Sequence, residues 1–178
     1  MGRVRGRRSI VAIATIFGLA FLGSPVRAVA GESYVVASLA DTTADDGACT
    51  LREAILAANN AAANDDCGPA SANDDTITFS VSGTITLGST LPTIAAAGTL
   101  AIDGGGTITV SGGGTVLVLM VDSGADVTLE NVTISGGLGS LGGGIYNAGT
   151  LTVTGSTISG NEVTGFSRGG GIYNGGTG

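Results

Sequence analysis

Three pairs of adjacent carboxylates are the residues of this 178-residue chain whose types and spacing could do chemistry. They are Asp45-Asp46, Asp65-Asp66 and Asp74-Asp75. Two carboxyl groups about 5–10 Å apart across a cleft can act as acid and base on a glycosidic bond. All three pairs, however, flank one alanine-rich helical stretch, and none lies along the repeated segments that follow it. This placement disfavours a glycosidase site.

Cationic residues are too few for a polysaccharide lyase. Such an enzyme needs a base and charge neutralisation, usually from Lys, Arg, His or a metal cation. After residue 30 the sequence has no Lys or His, and its two arginines are Arg52 and Arg168. Arg168 lies among the repeats, whereas Arg52 is at the second position of the helical stretch, where pairing with Asp41, Asp45 or Asp46 is favoured. We therefore predict no catalytic residues and no enzyme activity.

The loop Asp41–Gly47 (DTTADDG) contains three carboxylates, Asp41, Asp45 and Asp46. Carboxylate oxygens suit calcium, so these residues are candidate calcium ligands. The sequence matches neither an EF-hand nor a glycine-aspartate nonapeptide repeat. We favour a solvated loop with helix-capping aspartates, and we predict no cofactor, with calcium at this loop as the alternative.

The first thirty residues have the pattern of a secretory signal peptide. Four arginines lie within the first eight residues, and thirteen mostly apolar residues follow from Ile10 to Leu22. Ala28-Val29-Ala30 then provides a small-residue cleavage site. The apolar stretch is short for a bilayer span, so we predict cleavage after Ala30 and no membrane span in the mature chain. An uncleaved anchor is the alternative, and Arg7-Arg8 leaves the twin-arginine route open beside general secretion.

Charge excludes several classes of partner once these residues are removed. Two arginines then remain against fourteen carboxylates, a net charge of −12. No nucleic acid partner is expected, because phosphate binding needs clustered Lys or Arg, and an anionic membrane surface is disfavoured for the same reason. The apolar content of 43% and its regular patterning argue against disorder.

Internal repeats follow the helical stretch. GGGIYN occurs at Gly142–Asn147 and Gly169–Asn174, and TISG occurs at Thr133–Gly136 and Thr157–Gly160. Short runs alternate Ile, Val or Leu with Thr or Ser, and Gly, Asn, Asp and Ser separate them. This alternation predicts short strands with one apolar face, about three in each repeat. Such units form the coils of a β-solenoid, which bury their apolar residues only by stacking. An antiparallel sandwich is the competing fold.

Alternating apolar pairs give the expected register of the coils. The pairs are predicted to be equivalent in successive coils: Ile77/Phe79, Leu100/Ile102, Val127/Leu129 and Leu151/Val153. Asn147 and Asn174 then occupy equal places, where they would form an internal amide ladder or serve as turn residues. Tyr146 and Tyr173 would likewise stack, or form an aromatic stripe for sugar binding.

The helical stretch predicts a cap for the first coil. Thr50 and Glu53 have the spacing of a capping box, and Leu51, Ala54, Ile55 and Ala58 fall on one helix face. In an exported chain, Cys49 and Cys67 predict a disulfide around this helix, worth on the order of 3 kcal/mol.

A family resemblance rests on these same residues. Cys49-Thr50-Leu51-Arg52-Glu53-Ala54, continued by Ile55 and Ala57-Ala58-Asn59, resembles the CSLREA-type N-terminal segment of secreted bacterial proteins, with Thr50 in place of the family serine. DDTITF (Asp74–Phe79), GGGIYN and TISGN resemble the right-handed β-helix repeats that follow such segments, and also polymorphic outer-membrane-protein repeats, although FxxN is not matched. The resemblance spans roughly residues 34–178. It implies architecture and export, and no particular activity.

We therefore predict an all-β fold, a right-handed parallel β-helix with an N-terminal capping α-helix. Residues 1–30 are the signal peptide, residues 31–75 the N-terminal strand, helix and disulfide loop, and residues 76–178 the coils. Because the chain ends in GGGIYNGGTG with no closing element, the coil around Leu151–Asn174 is expected to continue into further repeats or to contact a partner.

The predicted function is that of a secreted or cell-surface module, at the outer membrane or outside the cell. Its role would be structural, adhesin-like or binding, with a surface glycan or a protein as ligand. The alternative is the non-catalytic part of a carbohydrate-active β-helix enzyme, similar to polysaccharide lyases or hydrolases.

Overall fold

A computed structural model describes residues 31–59, 65–70, 73–95, 98–165 and 169–178. Over these residues the chain is mostly β with one short helix, and it forms a parallel β-solenoid of about four turns. The predicted signal peptide with its Ala30 cleavage site lies outside the described residues, and so does Arg168.

The elements alternate short strands with tight turns. The helix α1 spans Leu51–Ala58, and a 3₁₀ turn covers Asp65–Cys67. The strands are β1 Ser33–Val36, β2 Asp75–Phe79, β3 Gly83–Thr86, β4 Thr99–Ser111, β5 Leu119–Val121, β6 Asp126–Ser135, β7 Leu138–Gly139, β8 Ile145–Asn147, β9 Thr150–Thr154, β10 Thr157–Ser159, β11 Glu162–Val163 and β12 Ile172–Asn174.

Every strand pairing among the described residues is parallel. The long strands β4 and β6 each bend, and their two halves belong to different faces of the solenoid. Face 1 comprises β1, β2, the first halves of β4 and β6, and β9; face 2 comprises β3, the second halves of β4 and β6, and β10. Face 3 comprises β5, β8 and β12. This topology confirms a parallel solenoid and excludes the antiparallel sandwich.

The predicted register is confirmed for the later coils. Leu100 pairs with Val127 and Val127 with Leu151, while Leu129 pairs with Ile102 and with Val153. Since side chains alternate between the two sides of a strand, this register lines up the inward apolar residues of successive coils in columns. The core of the solenoid consists of these columns.

The predicted register of the first coil is wrong by two residues. Ile77 pairs with Ile102, and Asp75 pairs with Leu100, whereas the sequence pattern aligned Ile77 with Leu100. A shift of two residues keeps the same side chains inward, so the apolar pattern fits both alignments equally well. The actual register places Asp75 at an inward position, where it is 2% exposed.

The corner between faces 1 and 2 requires left-handed backbone. Asn131 has φ 50° there, and it is the one non-glycine residue of the described chain with a positive φ. Asn tolerates this conformation better than most residues. Its Nδ2 donates to Asp103 Oδ1 of the preceding coil at 3.0 Å, so the corners of two coils are joined by side chains.

Two valines in the inward columns of face 1 provide a test of the stacking. Val127 is fully buried, whereas Val153, in the later strand β9, is 38% exposed. We expect Val127→Ala to lower the free energy of unfolding by about 2–3 kcal/mol, because it removes two buried methyl groups and leaves a cavity. The matched change Val153→Ala should cost less than about 1 kcal/mol. Urea unfolding followed by circular dichroism measures both, and equal losses would contradict the assigned order of burial.

Candidate functional site

Arg52 joins the helix to the first coil. Its Nε and Nη2 donate to the two carboxylate oxygens of Asp41 at 2.8 and 3.0 Å, in a bidentate ion pair. Its Nη1 and Nη2 also donate to the carbonyls of Thr90 and Ser89 at 3.0 and 2.7 Å. Of the three aspartates that the sequence offered as partners, the structure selects Asp41. Asp41 in turn accepts from the Gly88 amide at 2.8 Å.

The helix begins at a reciprocal cap. Thr50 Oγ1 accepts from the Glu53 amide at 3.3 Å, and Glu53 Oε2 accepts from the Thr50 amide at 2.9 Å. Both residues are fully buried, and Thr50 Oγ1 also lies 2.8 Å from the Thr42 carbonyl, to which it donates. The cap therefore fixes the start of α1 and the loop before it together.

Asn59 provides a second connection at the other end of the helix. Its Nδ2 donates to the Thr93 carbonyl at 2.8 Å, and its Oδ1 accepts from the Ala95 amide at 2.9 Å. The side-chain amide of Asn59 thus donates to one backbone group and accepts from another, as a neighbouring β-strand would. With those of Arg52, these hydrogen bonds attach both ends of α1 to the segment 88–95. The sequence pattern did not identify Asn59 as a contact residue, because its partners lie 34 and 36 residues further along the chain.

The two cysteines lie at bonding distance beside the helix. The structure joins Cys49 and Cys67, whose Cα atoms are 4.7 Å apart. Asp66, next to Cys67, accepts from the amides of Asp46 and Gly47 at 3.0 and 3.1 Å. The turn that contains Cys67 is thus attached to the loop Asp41–Gly47 by hydrogen bonds as well.

The structure does not bring the candidate calcium ligands together. Asp41 is occupied by Arg52 and Gly88, while Asp45 and Asp46 are exposed, and Asp46 Oδ1 accepts from the Ala48 amide at 3.1 Å. Within the described ranges, no three His, Cys, Asp or Glu side chains are grouped so as to hold a metal ion. The prediction of no cofactor and its alternative, calcium at this loop, both stay untested.

The remaining carboxylate pair also contacts backbone amides. Asp75 Oδ1 accepts from the Glu32 amide at 2.7 Å, and its buried Oδ2 has no hydrogen-bond partner. Asp74 is exposed, and its Oδ1 accepts from the Thr99 amide at 2.9 Å. This bond holds the pKa of the Asp74 carboxyl below its usual value, because it favours the ionised form. Both aspartates thus connect neighbouring coils.

Polar and aromatic ladders run along face 3. Asn147 is fully buried, and its Nδ2 donates to Asn174 Oδ1 at 2.7 Å, so the predicted amide ladder is present. On the outer side, the rings of Tyr146 and Tyr173 stack with centroids 5.3 Å apart and an interplanar angle of 17°. The two tyrosines therefore support each other, as the structural interpretation predicted.

A hollow of about 420 Å³ lies beside this tyrosine ladder. Its apolar wall includes Met120, Leu138 and Tyr146, and its hydroxyls come from residues such as Thr115 and Ser140. No charged side chain is among the described residues that line it. The hollow has the shape of a shallow binding surface.

No family model, no curated protein and no solved structure matches the chain. Over the residues that the structure describes, no helix is long and apolar enough to cross a bilayer.

The Asp41–Arg52 pair yields a prediction about the attachment of the helix. Asp41→Asn should leave the guanidinium largely buried without a counter-ion and lower the free energy of unfolding by about 2–3 kcal/mol. Amide hydrogen exchange within Leu51–Ala58 should also become faster. Asp45→Asn is the matched control, since Asp45 is exposed, and it should change the free energy by less than about 0.5 kcal/mol. Equal effects of the two changes would show that Asp41 does not anchor the helix.

Asp103 yields a prediction about pH. Hydrogen bonds from the Gly105 amide and from Asn131 hold the pKa of the Asp103 carboxyl below its usual value. The unfolded chain therefore binds a proton more readily, so this group stabilises the fold at neutral pH and loses that contribution as pH falls through the folded-state pKa. Asp103→Asn should reduce the loss of unfolding free energy between about pH 7 and pH 3. The exposed control Asp126→Asn should follow the wild type, and identical pH profiles for all three proteins would refute the assignment.

Proposed function

We propose that the chain is an exported β-solenoid module in which α1 closes the N-terminal end of the stack, and whose role is structural or binding. The observation that supports this most strongly is the attachment of α1 at both ends to the segment 88–95, through Arg52 and Asn59.

The closing role of α1 follows from what a solenoid leaves exposed. The first coil presents unpaired strand edges and apolar side chains unless another element covers them. Six of the eight residues of α1 are buried, and the helix contacts β1 and β2. Small alanines such as Ala54 and Ala57, both fully buried, allow this close approach. The backbone N–H and C=O groups of a helix are hydrogen-bonded within it, so α1 presents no strand edge to which another chain could add a strand.

We infer that the solenoid is right-handed. Strands joined by a crossover to a parallel neighbour in the same sheet are right-handed in about 98% of cases. The parallel pairing of β2 with β4 and of β4 with β6 makes each coil such a crossover. The same handedness is implied by the resemblance to CSLREA-type proteins.

Export is supported by the first thirty residues and by the cysteine pair. A charged start, an apolar stretch and Ala28-Val29-Ala30 are typical of secreted precursors. A disulfide between Cys49 and Cys67 would persist in an oxidising compartment, where exported proteins fold. A binding role rather than an enzymatic one is supported by the use of Asp66, Asp74 and Asp75 as acceptors of structural hydrogen bonds.

Expression of the full chain in a Gram-negative host tests this proposal. We expect the protein outside the cytoplasm, starting near Gly31, with a mass that lacks two hydrogens because Cys49 and Cys67 are bonded. Replacement of both Ala28 and Ala30 by Leu should block cleavage, since the peptidase accepts small residues there. Fractionation, N-terminal sequencing and intact mass after alkylation are the measurements. Exported protein that still begins at Met1, or that carries two alkylated thiols, would overturn the proposal.

A further inference from the structure

The outer side of face 2 carries a column of threonines. Thr84, Thr109, Thr133 and Thr157 are directly paired in successive coils, in the strands β3, β4, β6 and β10. Each is followed by an inward, apolar residue, so its own side chain points outward. Neighbouring threonines of the column are therefore about 4.8 Å apart, the distance between paired strands.

A second column runs parallel to the first, two residues further along each strand. It contains Thr86, Ser111, Ser135 and Ser159, which are also paired in register. Two residues of a strand span about 6.6 Å, so the two columns form a rectangular grid of hydroxyl groups. Each strand of face 2 thus ends with the pattern Thr-apolar-Thr or Thr-apolar-Ser.

The hydroxyls of this grid are available to a ligand. All eight residues are at least partly exposed. Ser111 Oγ accepts from the Gly113 amide at 3.2 Å, and the other seven side chains make no hydrogen bond within the described chain. Threonine is stiff about its first side-chain bond, and Thr109 and Thr133 have a paired threonine on each side, so the middle of the first column is preorganised. The grid is a rigid surface rather than a set of mobile groups.

Face 1 shows that such a grid is not a general consequence of the fold. Its corresponding outward columns contain Ala101, Asp103 and Glu130 among the threonines. The inward columns of face 2 are apolar, and those of face 1 are apolar except for Asp75, so stacking alone does not require hydroxyls outside. Face 2 carries no charged or aromatic side chain on its outer side, although residues 31–178 have a net charge of −12.

The kind of ligand follows from the energetics of exposed hydroxyls. Each hydroxyl exchanges a hydrogen bond to water for one to the ligand, so a single contact adds little binding free energy. A small molecule would contact two or three of them and would lose its own freedom of motion. A crystalline surface, by contrast, has a fixed two-dimensional repeat and can contact all eight hydroxyl groups of the grid at once. The lack of charge disfavours an ionic mineral, and the lack of aromatic side chains disfavours a crystalline polysaccharide.

We propose that face 2 binds ice. The grid spacings of about 4.8 and 6.6 Å are of the same order as the oxygen repeats of hexagonal ice, and the hydroxyls of both columns, with the threonine methyls of the first, would order water at that scale. This inference rests on the proposed binding role and gives that role a ligand. It does not depend on the route of export.

Partition into slowly growing ice is the test. The purified chain is stirred in dilute solution while ice grows on a cold probe, and protein is measured in the ice and in the liquid. We expect the wild type to be enriched in the ice, with facetted crystals in a freezing-point microscope. Thr133→Tyr places a bulky side chain at the centre of the grid and should lower the enrichment at least about tenfold.

Thr128→Tyr is the matched control. Thr128 lies on the same strand as Thr133 but points outward on face 1, and tyrosine suits a strand at both positions. The control should keep wild-type enrichment, and equal circular dichroism and urea unfolding of the three proteins show that the fold is intact. Exclusion of the wild type from ice, or equal enrichment of the two variants, would overturn the proposal. Adsorption to crystalline cellulose or chitin without enrichment in ice would overturn it in favour of a glycan ligand.

In each of these contrary outcomes, correct export and a bonded Cys49–Cys67 pair would leave the proposed function standing. If export fails while ice enrichment depends on Thr133, only the location is wrong. The two proposals can therefore fail separately.

Discussion

Parallel stacking of coils in exact register is the constraint on which the rest of this structure depends. A single coil has too few inward residues to remove them from water, so Val127 is buried only because Leu100 and Leu151 lie above and below it. The stacking also fixes where the glycines are. A Cβ on Gly143 would run into the carbonyl oxygen of Glu162 in the next coil, so this position permits no side chain. The repeats are similar because each coil must fit the same neighbour.

The closing role that we propose for α1 fits the same constraint. Strands inside a stack pair their backbone N–H and C=O groups with neighbouring coils, so an end of the stack is best covered by an element whose backbone groups are already hydrogen-bonded. The backbone of α1 is bonded as a helix, and Thr50 and Glu53 form a capping box at its start. The side chains of Arg52 and Asn59 hydrogen-bond α1 to carbonyls and an amide of segment 88–95.

The strand register could be predicted from the sequence where the apolar pattern is periodic. Contacts that depend on one particular partner residue could not. The register of Leu100, Val127 and Leu151 followed from spacing, because apolar alternation repeats there without a gap. The first coil was misaligned by two residues, since Asp75 interrupts the apolar pattern and a shift of two preserves it. The choice of Asp41 for Arg52 could not be predicted, because three aspartates lie within reach of one side chain in sequence. Folding selected the one that also bonds to Gly88.

Stacking of the coils restricts the residue types at inward positions but not those at outward positions. Apart from Asp75, the inward positions of faces 1 and 2 are apolar, whereas the outward positions differ: Asp103 and Glu130 lie on face 1, and Thr109 and Thr133 lie on face 2. Other small or polar residues would also leave the core unchanged at these outward sites, and the proposed ligand gives the column of four identical threonines a role beyond strand pairing. Strand propensity favours threonine, but it acts equally on face 1, where Ala101 interrupts the column. The regularity of face 2 is therefore a property of its surface, and a repeated surface can be used in full only by a ligand that repeats with it.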